Sequence, residues 1–229
     1  MATIISEKTD QDKKQIAFFD LDRTVINAVS GRELARGAYR KGLMKASDVM
    51  YGILLSTSFR IGLKSQAAVI KALVKWVKGI PESVLLEICD DITRSILIPA
   101  VYSEAMDKIA FHHSEGARVI ILSSALRCVC ERMAVHLGTD DFICSDLEVA
   151  DGLLTGYSKG KICFGEEKLS RFLEYCWKSD TSVEDTWYYA DSVTDIPVLA
   201  VTGNPVCVNP DKKLEKAAER NGWKILRFH

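Results

Sequence analysis

The chain has 229 residues, 48% of them hydrophobic and 27% charged, with a formal net charge of −1. That is the composition of a globular protein with one sizeable core, and its near-neutral balance offers no basic footprint for nucleic acid or anionic lipid. No uninterrupted apolar run of about 18 residues occurs, so no membrane-spanning helix is expected. Residues 1–14 carry Glu7, Lys8, Asp10, Asp12, Lys13 and Lys14 without an apolar stretch, which reads as a flexible tail and not a secretory signal. A buried strand is expected at 15–20, where Ile16 to Phe19 lead straight into Asp20.

The segment 30–97 reads as helices in succession, punctuated by Gly31, Gly42, Gly62, Gly79 and Pro81 and lacking any strand period. Beyond it, short runs at 117–122, 186–190, 205–208 and 224–228 predict strands, alternating with helical patterns at 99–115, 125–137, 166–178, 194–201 and 211–221. The stretch 142–157 reads as a small strand–turn–strand with Asp151-Gly152 at its turn. Asn209-Pro210-Asp211 opens the last helix and Gly222 closes it. The alternation predicts an α/β fold: a parallel sheet core with helices on both faces, built from residues 1–28 and 98–229. Residues 29–97 form an inserted all-helical cap above the carboxyl end of the first strand.

Seven scattered cysteines without a C-x-x-C pair read as reduced, buried thiols of a cytoplasmic protein. His112-His113 near a helix end read as cations favoured by the helix dipole, because adjacent helical residues point apart and make a poor zinc pair.

Four segments end apolar runs or open helices with reactive groups. Asp20 and Asp22 stand at i, i+2 after the first strand, with Thr24 two further on. Ser123 and Ser124 follow Val119 to Leu122; Lys168 starts a helix; Asp191 and Asp195 follow Trp187 to Ala190. Singly, an aspartate pair of this kind is often a turn or a helix cap, and Ser123 or Ser124 suits a cap of the helix near Ala125. Brought together at the ends of parallel strands, these groups suit phosphoryl transfer. One carboxylate attacks phosphorus, and a second carries the proton to the leaving oxygen and from water. Oxygen-rich sites hold Mg²⁺, while lysine and serine hold phosphate oxygens.

In its ordered motifs Asp20-Leu21-Asp22-Arg23-Thr24, Ser123-Ser124-Ala125, Gly165-Glu166-Glu167-Lys168 and Tyr189-Ala190-Asp191-Ser192 with Asp195, the chain resembles the haloacid dehalogenase (HAD) superfamily. The resemblance covers residues 15 to 229 and is to subfamily IB, the phosphoserine-phosphatase-like branch with a C1 helical cap. It implies a Rossmann-like core and a Mg²⁺-dependent phosphatase acting on a small phosphomonoester. Asp20 would be the nucleophile and a metal ligand. Asp22 would be the general acid and base, offering its carbonyl to the metal. Ser123 and Lys168 would bind the phosphoryl group, and Asp191 would ligate the metal. Asp195, Thr24 and Ser124 would support them. Arg23, Glu33 and Arg60 are candidate substrate contacts. In the phosphoserine enzymes a glutamate nine residues after the nucleophile receives the substrate amine; here that position is Val29, with Glu33 one helical turn on. A phosphoserine phosphatase of serine biosynthesis, a phosphotransferase using the same aspartyl phosphate, and a sensing module without turnover remain alternatives. No nucleic acid or membrane partner is expected, and the sequence leaves the oligomeric state open.

Overall fold

The computed structural model describes residues 15–45, 47, 50 and 76–229. Strands β1 (Ile16–Phe19), β2 (Arg118–Leu126), β3 (Asp141–Ser145), β6 (Thr186–Ala190), β7 (Asn204–Val208) and β8 (Lys224–Leu226) form one parallel sheet in the order β3-β2-β1-β6-β7-β8. A separate antiparallel hairpin pairs β4 (Leu147–Ala150) with β5 (Leu153–Ser158).

Helices α1 (Ser30–Arg40), α2 (Glu82–Ile92), α3 (Ser103–Ser114), α4 (Arg127–Leu137), α5 (Glu166–Lys178), α6 (Ile196–Leu199) and α7 (Lys212–Asn221) complete the described elements. Strand alternation divides the core in two. Ala17, Phe19, Ile121 and Tyr189 face Ala105 and Ile109 of α3 and Met133 of α4. Phe18, Ile120 and Tyr188 face Phe172 of α5, Leu199 of α6 and Leu214 of α7.

All four residues of β1 are buried, and Phe19 stands level with Ile121 on one side and Tyr189 on the other. The chain therefore leaves β1 at Asp20, between the ends of β2 and β6. The strand order reverses here, with β2 and β3 on one side of β1 and β6, β7 and β8 on the other, and such a switch point is where open α/β sheets place ligands.

The insert packs through α1 and α2, closely enough that a Cβ on Gly37 would meet Ile88 Cγ2 at 2.6 Å. The expected helices between 51 and 75, with Arg60, and the tail 1–14 lie outside the described residues.

Several expectations need correction. β2 continues through Ser123 and Ser124 to Leu126, because β3 supplies a partner as far as Leu126↔Ser145. Neither serine caps α4, whose N-cap is Leu126 without a side-chain bond. Residues 141–145 join the main sheet, so the hairpin begins only at Leu147. The helix expected at 99–115 starts at Ser103, behind a π-helical turn (Thr93–Leu97) and a 3₁₀ turn holding Pro99. That expected at 194–201 is a 3₁₀ turn (Val193–Asp195) and a single α-turn with Pro197 at its start.

The cysteines are not all reduced. Helix α2 packs against α4, which brings Cys89 and Cys128 to a Cα separation of 6.1 Å, and they form a disulfide. His112 is no surface cation either. It is buried against Phe19 and Trp187 with Nε2 2.9 Å from the Tyr189 hydroxyl, and burial, with Lys108 and His113, pushes its pKa down to about 4. Among the described residues, no helix is long and apolar enough to cross a membrane.

Candidate active site

Asp20 extends β1 by one ladder bond, its N–H donating to the Tyr189 carbonyl at 2.9 Å. The chain then coils tightly: the amides of Thr24, Val25 and Ile26 all donate to the Leu21 carbonyl at 3.0–3.3 Å. Arg23 closes this coil in the left-handed region, φ 62°, with its amide bonded to the Ala28 carbonyl. The coil turns Asp22 back toward Ser30, the first residue of α1. Ser30 donates its N–H to Asp22 Oδ1 at 3.0 Å and its hydroxyl to Oδ2 at 3.1 Å. Thr24 is buried, and among the described residues its hydroxyl has no hydrogen-bond partner, so its side chain meets the loop through packing.

At the end of β6, Asp211 braces the second carboxylate loop. Its amide donates to the Asp191 carbonyl at 2.8 Å, and its Oδ2 accepts the Val193 amide at 2.9 Å. Its other oxygen caps α7 by accepting from the amides of Lys213 and Leu214. The residue read only as a helix start thus also fixes the loop carrying Asp191.

Asp20, Asp191 and Asp195 are buried and offer carboxylate oxygens that lie within 4.8 Å of one another. Lys168, reaching in from the first turn of α5, is itself only 3% exposed. Its Nζ lies 3.1 Å from Asp20 Oδ1 and 2.6 Å from Asp195 Oδ1. Tyr188 donates its hydroxyl to the same Asp195 oxygen at 2.6 Å, and the Lys168 ammonium lies 5.5 Å from its ring centroid. Ser123 is buried within the second half of β2, and its hydroxyl bond helps to lower the pKa of Asp20. The structure thus brings together Asp20, Asp22, Ser123, Lys168, Asp191 and Asp195. Ser124 is exposed. Glu33 is buried, but its carboxylate is taken by Arg36 at 2.8 Å and Arg32 at 3.2 Å. Ser30, Tyr188 and the second role of Asp211 escaped the sequence reading. A tyrosine within an aromatic strand and a serine at a helix start carry no signal of their partners.

Three clustered carboxylates against one ammonium leave negative charge in a dry place. Burial raises the pKa of Asp20, and Asp195 adds to the rise, while Lys168 opposes both. Burial, with Asp20 and Asp195, pushes Asp191 up to about 8. Burial pushes Asp22 up to about 7 despite the Ser30 bonds. Burial alone would lower Lys168, but Asp195 and Asp20 outweigh it and hold it raised and charged. An all-oxygen donor set of buried, mutually repelling carboxylates fits a hard dication such as Mg²⁺, whose charge offsets that repulsion.

A linked stability effect follows. Asp22 and Asp191 bind protons more tightly folded than unfolded, so in the metal-free protein their contribution is complete below about pH 4 and is lost as pH rises through 7 to 8. Without divalent cation, Tm is expected to fall by several degrees between about pH 6 and pH 8.5, and saturating Mg²⁺ should largely remove the fall. His112, with its pKa near 4, stays neutral in the fold throughout that window. A flat metal-free profile in calorimetry would contradict this account of the cluster.

The pattern of haloacid dehalogenase-like hydrolases matches residues 17–200, the span that carries Asp20, Asp22, Ser123, Lys168, Asp191 and Asp195. The chain belongs to the haloacid dehalogenase-like hydrolase family. It is similar to the "inhibition of morphological differentiation protein" of Streptomyces azureus, 30% identical over 220 residues that cover 93% of this chain and 78% of the relative. It is similar also to a histidinol-phosphatase of Neisseria meningitidis, 26% identical over 220 residues, 94% of this chain and 99% of that one. A solved phosphoserine phosphatase with bound substrate has the same fold at TM-score 0.74 and 19% identity, covering 93% of each chain. With phosphatases among its relatives, this family member is an enzyme of the phosphatase kind, and its Rossmann-like core is the family's.

Proposed function

We propose that this HAD phosphatase is a Mg²⁺-dependent phosphomonoester hydrolase that works through a phosphoaspartyl intermediate on Asp20. The observation that carries the reading is the buried Lys168 ammonium bridging Asp20 and Asp195 beside Asp191. A lysine so placed opposes the rise that burial gives the Asp20 pKa and offers charge to an incoming phosphoryl oxygen.

In the first step Asp20 attacks phosphorus, and the bond from phosphorus to the leaving oxygen breaks. Asp22, with a pKa near 7, gives that oxygen its proton. In the second step Asp22 takes a proton from water, whose oxygen attacks the phosphorus of the acyl phosphate. Inorganic phosphate leaves and the Asp20 carboxylate is restored. Ser123 and Lys168 bind the phosphoryl oxygens. Asp20, Asp191 and the Asp22 carbonyl, with help from Asp195, would hold Mg²⁺, which would supply positive charge for the phosphoryl group. Helices α1 and α2 serve as part of a cap that excludes water, and Ser30 ties α1 to the acid Asp22.

The substrate is a small phosphorylated metabolite other than phosphoserine. Val29 offers no charge to an ammonium group, and the Glu33 carboxylate is already occupied by two arginines.

Phosphate release from a panel of metabolite phosphomonoesters, phosphoserine included, tests the reading. Turnover is expected with Mg²⁺ and should disappear with EDTA. No release from any member would overturn hydrolysis, and phosphorylated alcohol appearing in place of phosphate would mark a phosphotransferase.

A further inference from the structure

We propose that Arg23 recognises a second anionic group, a carboxylate or another phosphoryl group, on the alcohol part of the substrate. This rests on the phosphatase reading above and narrows it to a substrate class.

The backbone supplies the first observation. Arg23 sits at φ 62° inside the coil that follows Asp20, a region where glycine is at ease and a branched, charged chain is not. Nothing in that coil needs the arginine side chain, since the turn is closed by backbone bonds to Leu21 and Ala28. An arginine held in an unfavourable conformation is an outlier whose side chain calls for a use.

The second observation is its surroundings. Arg23 is partly buried, yet its guanidinium makes no ion pair or side-chain hydrogen bond with any described residue. It nevertheless lies near enough to Asp22 and Asp191 to lower the pKa of each. Asp22, its neighbour in the chain, is the acid proposed above for the leaving oxygen, and in that reading Arg23 stands beside the alcohol part of the substrate. The transferring phosphoryl group already has Lys168 and Ser123. A guanidinium fork matches the two oxygens of a carboxylate or phosphoryl group, and one left without a protein partner is available to a ligand. Among the described residues, Val29 carries no charge for a substrate ammonium and the Glu33 carboxylate is already taken by Arg32 and Arg36. The balance on this side of the site therefore favours an anionic leaving group.

Two substrate pairs read this directly: 2-phosphoglycolate against ethyl phosphate for a carboxylate, and propane-1,3-diol bisphosphate against propyl phosphate for a second phosphoryl group. The wild-type enzyme with Mg²⁺ should favour the anionic member of at least one pair in kcat/KM, and the favoured pair tells which anion is read. Arg23→Gln should reduce that preference by about tenfold or more, the scale of a charge-assisted hydrogen bond. Arg23→Lys should retain part of it. Arg23→Gly, which suits the left-handed backbone, should melt no lower than wild type, so a lost preference there is not lost folding. No wild-type preference in either pair would overturn the proposal, and so would an equal loss on both members in Arg23→Gln. Turnover of none of the four by an enzyme that releases phosphate from other members of the panel would also overturn it, whereas release from no phosphomonoester at all would strike the phosphatase reading instead.

Discussion

Asp20→Asn should lower phosphate release by about 10⁴-fold or more, yet leave the metal-free protein at least as thermally stable as wild type. The two halves of this result have separate causes. An amide cannot form the acyl phosphate, so the reaction loses its first step outright. Stability behaves differently because Asp20 sits among Asp191 and Asp195 in a buried cluster that already carries excess negative charge. Removing one carboxylate relieves repulsion, and Lys168 keeps its closer partner, Asp195, at 2.6 Å. Steady-state kinetics and melting curves in EDTA measure both. Activity within tenfold of wild type would displace Asp20 as nucleophile, and a Tm loss of more than about 5 °C would mean that the carboxylate holds the fold together.

Lys168→Met should do the opposite to stability. The ammonium is the buried cation that faces Asp20 and Asp195, and methionine fills its volume without its charge. Breaking a buried pair from one side costs about 3–5 kcal/mol, a fall in Tm on the order of 10 °C for a chain of this size. The loss should be largest in EDTA near pH 8. It should shrink as pH falls and Asp20 and Asp191 take up protons, because both have raised pKa values in the fold. Turnover should fall by about 10³-fold or more with the phosphoryl contact gone. An unchanged Tm at pH 8 in EDTA would show that the cluster is neutral without its lysine.

These two variants act on residues that the sequence located well, for a physical reason. Buried parallel strands are continuous apolar runs, so their ends at Asp20 and Asp191 are marked by the first charge after the run. Helix α5 runs over 166–178 as expected, because Glu166 and Glu167 stand in its first turn, Lys178 in its last, and Gly165 supplies the break before it. What stayed hidden depends on partners far away in sequence. β2 runs past Ser123 only because β3 lies beside it. Cys89 meets Cys128 only because α2 packs on α4. The Tyr188 hydroxyl resembles any core aromatic until Asp195 is placed against it. Local pattern reports which face a residue prefers, and it is silent about which polar atom waits there.

The central position of β1 also sets a timetable for making the protein. β1 leaves the ribosome before both of its neighbours, since β2 and β6 begin only at Arg118 and Thr186. At about 5–20 residues per second, on the order of ten seconds or longer separates the birth of Phe19 from that of its second neighbour. Through that interval Ile16 to Phe19 form an apolar strand with at least one open edge, the kind of segment that chaperones shield and aggregates recruit. Asp20 and Lys168 are 148 residues apart in the chain, so no nascent fragment ending short of that lysine assembles the charged centre. Recovery of catalysis after dilution from denaturant would therefore report the pairing of β1 with β6, which joins strands about 170 residues apart.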